Sequence, residues 1–187
     1  MSSKILVLPG DGIGVEVADQ AIRVIEKLNE QGLNASYEKD LVGGASYDVN
    51  GEPLTNSVLE KAKNSDAILL GAVGGSKWDD VERSKRPEAG LLGLRKELEL
   101  FANLRPALVF DALVSASTLK NEVVNNLDIM IVRELTGGVY FGQPRGIEDT
   151  PNGKKAIDTQ IYYDYEIDRI ARVAFDLARK RNNKVTS

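Results

Sequence analysis

Leu127-Asp128-Ile129-Met130-Ile131-Val132, followed at once by Arg133-Glu134-Leu135-Thr136-Gly137-Gly138-Val139-Tyr140-Phe141-Gly142, is the stretch on which the fold turns. The first part is apolar and β-branched over a strand's length, and such a run reads as a buried strand. In α/β proteins ligands collect beyond the carboxyl ends of strands. The residues from Arg133 onward suit that position. Arg133 is a fixed cation for a small carboxylate, and Tyr140 places a hydroxyl within reach of the same ligand.

Working outward, Pro87 and Glu88 suit the first turn of a helix, because proline lacks the donor that this turn leaves unpaired. On that helix Glu88, Leu91, Leu92 and Arg95 share one face. The face reads either as an amphiphilic pocket wall or as a surface helix whose leucines enter the core while Glu88 and Arg95 stay solvated. Upstream, Lys4–Leu8 reads as a strand and Gly10–Gly14 as a turn. The next element is a helix whose Val17, Ala21, Val24, Ile25 and Leu28 form its apolar face, ended at Gly32 by a left-handed cap. Asn34–Lys39 is a second strand, Thr55 caps a helix through Lys63, and Asp66–Gly71 is a third, buried strand. A further strand is expected near Phe101–Leu108. The last helix carries Ile167, Ile170, Ala171, Ala174, Leu177 and Ala178 at helical spacing, with Asp168–Arg172 and Asp176–Lys180 as outward pairs. Alternating strands and helices predict an α/β fold with a substantially parallel sheet, antiparallel additions remaining open.

The segment from Val139 to Tyr163 breaks that rhythm. Pro151-Asn152-Gly153 is a turn, and Ala156–Tyr163 alternates as a strand with one wet face would. A lone hairpin is marginal in water, so it must lie on its own domain or on a second chain. The turn Gly10-Asp11-Gly12-Ile13-Gly14 resembles a dinucleotide-binding loop, with Glu38 or Asp40 as the ribose acid. Its glycines fall at alternate positions, however, without the required G-x-G-x-x-G interval.

Composition narrows the function. The 187 residues contain no Cys and no His, which excludes disulfides, thiolate catalysis and Ser-His or Cys-His hydrolases. A net charge of −4 without a basic patch argues against nucleic acid. No apolar run suits a membrane span and no signal segment opens the chain, so a soluble cytoplasmic protein is expected. The acidic pairs Asp79-Asp80 and Glu148-Asp149 lie in polar loops and read as solvated.

Four stretches carry a family resemblance: Leu8-Pro9-Gly10-Asp11-Gly12-Ile13-Gly14-Val15-Glu16, Leu91-Leu92-Gly93-Leu94-Arg95-Lys96, Phe101-Ala102-Asn103-Leu104-Arg105-Pro106 and Val132–Gly142. Together they resemble the isopropylmalate/isocitrate family of β-decarboxylating dehydrogenases, from Lys4 to Ser187. The leucines before Arg95 favour the isopropylmalate branch. The resemblance implies a layered sheet with flanking helices, not a Rossmann fold, and a β-hairpin arm over about 139–163 that pairs with a second subunit in a homodimer. It implies one domain beginning in 1–100 and a second, dimerising one beginning in 101–187.

The activity implied is NAD-dependent oxidative decarboxylation of 3-isopropylmalate to 4-methyl-2-oxopentanoate, with Mg2+ or Mn2+. Arg95, Arg105 and Arg133 would bind the dicarboxylate; planar guanidiniums suit carboxylates better than lysines do. Leu91, Leu92 and Glu88 would face the isopropyl group, and Gly74, Gly75 and Glu88 the nicotinamide. Tyr140 would be the acid that protonates the enol, its bland alternative being a tyrosine bonded only to backbone. The resemblance also implies that relatives are considerably longer. Their catalytic lysine, metal-binding aspartates and adenosine loop would lie beyond residue 187, so no metal ligand is assigned here and apolar sheet surface is expected to lie uncovered. Alternatives are a dicarboxylate-binding domain without turnover, and an isocitrate- or malate-type relative.

Overall fold

The computed structural model describes residues 2–187; Met1 lies outside the described residues. One compact unit reaches Leu98 and a second runs from Glu99 to Ser187. The first is built on parallel strands β1 (Ser3–Gly10), β2 (Ala35–Lys39) and β3 (Ala67–Ala72), in the order β2-β1-β3. β1 takes the centre because Leu6, Val7 and Leu8, each 1% exposed or less, are apolar toward both faces. Leu6 and Leu8 meet Val42, Val58, Ala62 and Leu94 on one side, while Val7 meets Ala18 and Ile22 on the other.

Helix α1 (Ile13–Asn29) supplies the Val7 side. Its buried residues are Gly14, Ala18 and Ile22, not the expected Val17, Val24 and Leu28, which stand substantially exposed. The reason is steric. A methyl on Gly14 would strike the Pro9 carbonyl, and one on Gly71 would meet the backbone of Pro9 and Gly14, so α1 approaches the sheet through its smallest residues. The larger side chains are thereby turned outward. α2 (Gly44–Asn50) follows β2. α3 (Asn56–Lys63) starts at Thr55, whose hydroxyl accepts the Val58 N–H at 3.3 Å as expected of a cap. α4 (Pro87–Glu97) places Pro87 in its first turn and buries Pro87, Gly90 and Leu94. β3 is half-buried rather than buried.

The second unit departs from the parallel pattern. β4 (Ala102–Leu108) and β5 (Asp128–Glu134) pair antiparallel, with the short α5 (Asn121–Val124) between them. Here the expectation of a buried strand fails: Ile129 and Ile131 are 49% and 50% exposed. Helix α6 (Asp164–Arg179) packs against β5, and its contacts reach alternate residues. Glu134 meets Arg169, and Asp128 meets Arg181 just past the helix. Ile129, Ile131 and Arg133, which alternate with these residues, point to the other face. The hairpin is β6 (Gly146–Thr150) with β7 (Gly153–Ile157), so the expected strand at Ala156–Tyr163 ends at Ile157 and the pairing lies further upstream. On α6, Asp168 pairs with Arg172 as expected, whereas Asp176 takes Arg179 in place of Lys180. Among the described residues no helix is long and apolar enough to cross a membrane.

Candidate functional site

Directly opposed residues of an antiparallel pair share a face. Arg105 lies opposite Ile131 and Asn103 opposite Arg133. Arg105 and Arg133 are therefore diagonal neighbours, roughly 7–8 Å apart at the backbone, on the face turned away from α6. The two guanidiniums share this surface with Asn103, Ala107, Ile129 and Ile131. Arg133 reaches Tyr140, its Nη2 donating to the phenol oxygen at 2.6 Å with the ring centroid 5.3 Å away. Asn103 Oδ1 is sealed from solvent without a donor. A buried acceptor in that state is uncommon and calls for a partner. The face thus offers two cations and a polarised phenol to an anion that also carries a hydroxyl.

What places Tyr140 on Arg133 is the turn between them. Glu134 Oε2 accepts the N–H groups of Thr136 and Gly137, both at 2.7 Å. Its Oε1 accepts from the Thr136 hydroxyl at 3.1 Å and from Arg169 at 2.6 Å. Glu134 and Arg169 are only 9% and 25% exposed at the side chain. Burial alone would raise the Glu134 carboxyl, but the Gly137 N–H, the Arg169 guanidinium and Thr136 outweigh it and hold the group below its ordinary value. Arg169 lies 4.7 Å over the Phe101 ring and 5.3 Å over that of Tyr165. Gly138, at φ +77°, sits where a methyl would crowd the Tyr162 hydroxyl.

In the first unit the unexpected residue is Asp11. It is 5% exposed, and its carboxylate accepts the N–H groups of Gly44 at 2.9 Å, Ala45 at 2.7 Å and Gly74 at 2.8 Å. One side chain thus ties the turn after β1, the start of α2 and the loop after β3. A methyl on Gly74 would come within 2.7 Å of Glu88 Oε1, so these two expected cofactor residues are neighbours. Gly75 is exposed beside Trp78. β3 runs one residue past the expected Gly71, to Ala72. On α4, Leu94 takes the core position, Leu91, Leu92 and Arg95 are half-buried and Glu88 is exposed, so the four expected residues lie off the core stripe.

Glu38 and Asp40, the would-be ribose acids, both bind Lys61, whose ammonium is held well above its ordinary value by Asp40 and then Glu38. Glu148 pairs with Lys155 across the hairpin, and Asp79 and Asp80 are exposed. Among the described residues no three Asp, Glu, His or Cys converge to hold a metal ion. Sequence reasoning missed Asp11, Glu134 and Asn103. The available signal was an acid inside a glycine turn, and an acid between two candidate site residues.

Comparison with known proteins agrees with this architecture. The isocitrate/isopropylmalate dehydrogenase family model matches residues 4–187. The 3-isopropylmalate dehydrogenase of Rhodopseudomonas palustris (strain BisB18) is 63% identical over 186 residues, covering 98% of this chain and 50% of that protein. That of Chromohalobacter salexigens is 59% identical over 188 residues, covering 100% of this chain and 52% of that protein. The chain therefore spans about half the length of the curated relatives it matches. Among solved structures, a β-decarboxylating dehydrogenase of Thermococcus kodakarensis superposes with a TM-score of 0.67 at 32% identity, over 96% of this chain and 46% of that one. With the match running through both units, the chain belongs to the isocitrate/isopropylmalate dehydrogenase family.

Proposed function

We propose that the chain serves the NAD-dependent oxidative decarboxylation of 3-isopropylmalate to 4-methyl-2-oxopentanoate, a cytoplasmic step of leucine biosynthesis. The carrying observation is the exposed β4–β5 face, where Arg105 and Arg133 lie diagonally with Tyr140 bonded to Arg133. Two guanidiniums bind carboxylates bidentately and stay charged at any working pH. Arg95 is assigned a third carboxylate contact, Leu91 and Leu92 the isopropyl group, and Gly74, Gly75 and Glu88 the nicotinamide side; the family likeness supports these assignments.

NAD, which Gly74, Gly75 and Glu88 would hold at its nicotinamide side, would supply the hydride acceptor for oxidation of the C2 alcohol to a ketone, the hydroxyl proton passing to a general base. Arg105 and Arg133 hold the two carboxylates, fixing which carbon–carbon bond breaks when CO2 leaves. Tyr140 accepts from Arg133 and so keeps its own O–H to donate; that proton goes to the carbon from which CO2 departed. A divalent metal stabilises enolates of this kind. Among the described residues no three Asp, Glu, His or Cys gather to hold one.

The Arg105–Arg133 face would equally serve a second reading, a domain that binds the dicarboxylate without turning it over. Titration calorimetry with 3-isopropylmalate, beside an assay for NADH with NAD and Mg2+, separates the two. Binding lost in Arg133→Ala supports the site, and NADH formation decides between turnover and binding alone. Failure of the unmodified chain to bind overturns both readings. The hairpin stands apart as its own two-stranded sheet, with Ile147 73% exposed. We assign it to pairing with a second copy, which predicts a dimer that becomes monomeric when residues 146–157 are replaced by a short glycine linker.

A further inference from the structure

Arg133 and Tyr140 are seven positions apart, and a strand end followed by glycines does not by itself return a side chain onto its own start. The return depends on a turn in which one carboxylate gathers two successive backbone donors, those of Thr136 and Gly137. Glu134 takes the Thr136 N–H, the Gly137 N–H and the Thr136 hydroxyl. Arg169 of α6 then grips both Glu134 at 2.6 Å and the Thr136 hydroxyl at 2.5 Å. Glu166, one turn earlier on α6, faces the Cα of Gly137, where a methyl would lie 2.8 Å from Oε2. Its carboxylate is fixed in turn by the Tyr163 N–H at 2.9 Å. The loop carrying Tyr140 is thus pinned to α6 from two sides. None of these groups lies on the Arg105–Arg133 face, because Glu134 alternates with Arg133 along β5 and points to the opposite side.

We propose that Glu134, clamped by Arg169, is a positioning residue that sets the Tyr140 hydroxyl on the Arg133 guanidinium. The pair then acts as one recognition unit for a hydroxy-dicarboxylate. This rests on the reading of the open face as the dicarboxylate site, yet its geometric part stands without a ligand. Removing Glu134 releases the turn, and Tyr140 no longer meets Arg133.

The test is a double-mutant cycle on the full chain, Glu134→Gln against Tyr140→Phe, read by calorimetric titration with 3-isopropylmalate. Each single variant is expected to weaken binding about tenfold, the effect of one hydrogen bond to a charged group. The double variant should be no weaker than either single one, because Glu134 acts only through Tyr140. Effects that multiply to about a hundredfold, or a Glu134→Gln chain that binds like the parent, overturn the proposal. The ligand-free readout is the nitrogen resonance of the Arg133 guanidinium, which should move alike in Glu134→Gln and Tyr140→Phe. If the parent chain binds no dicarboxylate, the functional reading falls while this resonance still judges the positioning role. Should Glu134→Gln fail to fold, Thr136→Ala keeps both charges and removes the hydroxyl they share. It should shift the Arg133 resonance in the same direction, and an unmoved resonance contradicts the proposal.

Discussion

The two units are held together by different physics. In the first, both apolar clusters are closed: Leu6, Val7 and Leu8 run through a parallel sheet with α1 on one side and α3 and α4 on the other. In the second, α6 packs against the β4–β5 ribbon, and an ionic network of Glu134, Arg169 and Glu166 is set among the buried Val124, Leu135 and Ala178. The surface least able to supply a core is thus the one that presents the arginines. A face filled with leucine would be more stable and would bind nothing charged. On the proposed reading, stability and recognition are drawn from opposite faces of a single strand, with Glu134 on one and Arg133 on the other.

The largest effect should come from the closed unit. Leu6→Ala removes a fully buried side chain from the central strand and should cost about 2–5 kcal/mol in chemical denaturation. Ile131→Ala, at a half-exposed site, should cost under about 1.5 kcal/mol, since little of the side chain's transfer free energy is realised there. Equal losses would erase the distinction between the units.

Next comes the ionic network. Glu134→Gln leaves Arg169 partly buried without its carboxylate and should destabilise the second unit by about 1.5–3 kcal/mol, the range for hydrogen bonds to charged groups. Hydrogen exchange should show faster opening of Leu135 and Gly138 while the amides of β1 are unchanged. The sign of the pH dependence is set by the same group. The folded Glu134 carboxyl lies below its ordinary 4.5, so its stabilisation is complete above that pH and is lost as pH falls through the lower folded value. The parent's second unit should therefore weaken on acidification below pH 4.5, more steeply than that of Glu134→Gln. Parallel acid profiles would contradict the assignment.

Smaller still, Thr55→Ala should cost about 1 kcal/mol in the first unit through loss of the cap on Val58. The exposed Lys155–Glu148 pair on the hairpin should contribute under about 1 kcal/mol and vanish at high salt.

Much of the fold is legible in the sequence, for reasons that vary by element. β1, the Thr55 cap and the Pro87 start of α4 rest on local chemistry, and local chemistry survives folding. The apolar face of α1 is misleading because Val17, Val24 and Leu28 repeat at helical spacing, while contact distance is decided by Gly14 and Gly71, which carry no hydrophobic signal. The strand at Leu127–Val132 lies where its composition puts it but is not buried, since β-branched composition does not report how many layers cover a sheet. Arg105, Arg133 and Tyr140 stand out through family motifs, and the register explains why two of them share a face. Asp11 and Glu134 escape notice because an acid that collects backbone N–H groups looks, in sequence, like any other acid.

Whether the open β4–β5 face binds a dicarboxylate is tested most directly by residue-resolved NMR of the labelled chain during titration with 3-isopropylmalate. Saturable shifts are expected at Asn103, Arg105, Ile131, Arg133 and Tyr140, abolished in Arg133→Ala, with Leu6 and Val7 unmoved. Shifts confined to other surfaces, or none at saturating ligand, would contradict a dicarboxylate site on this face.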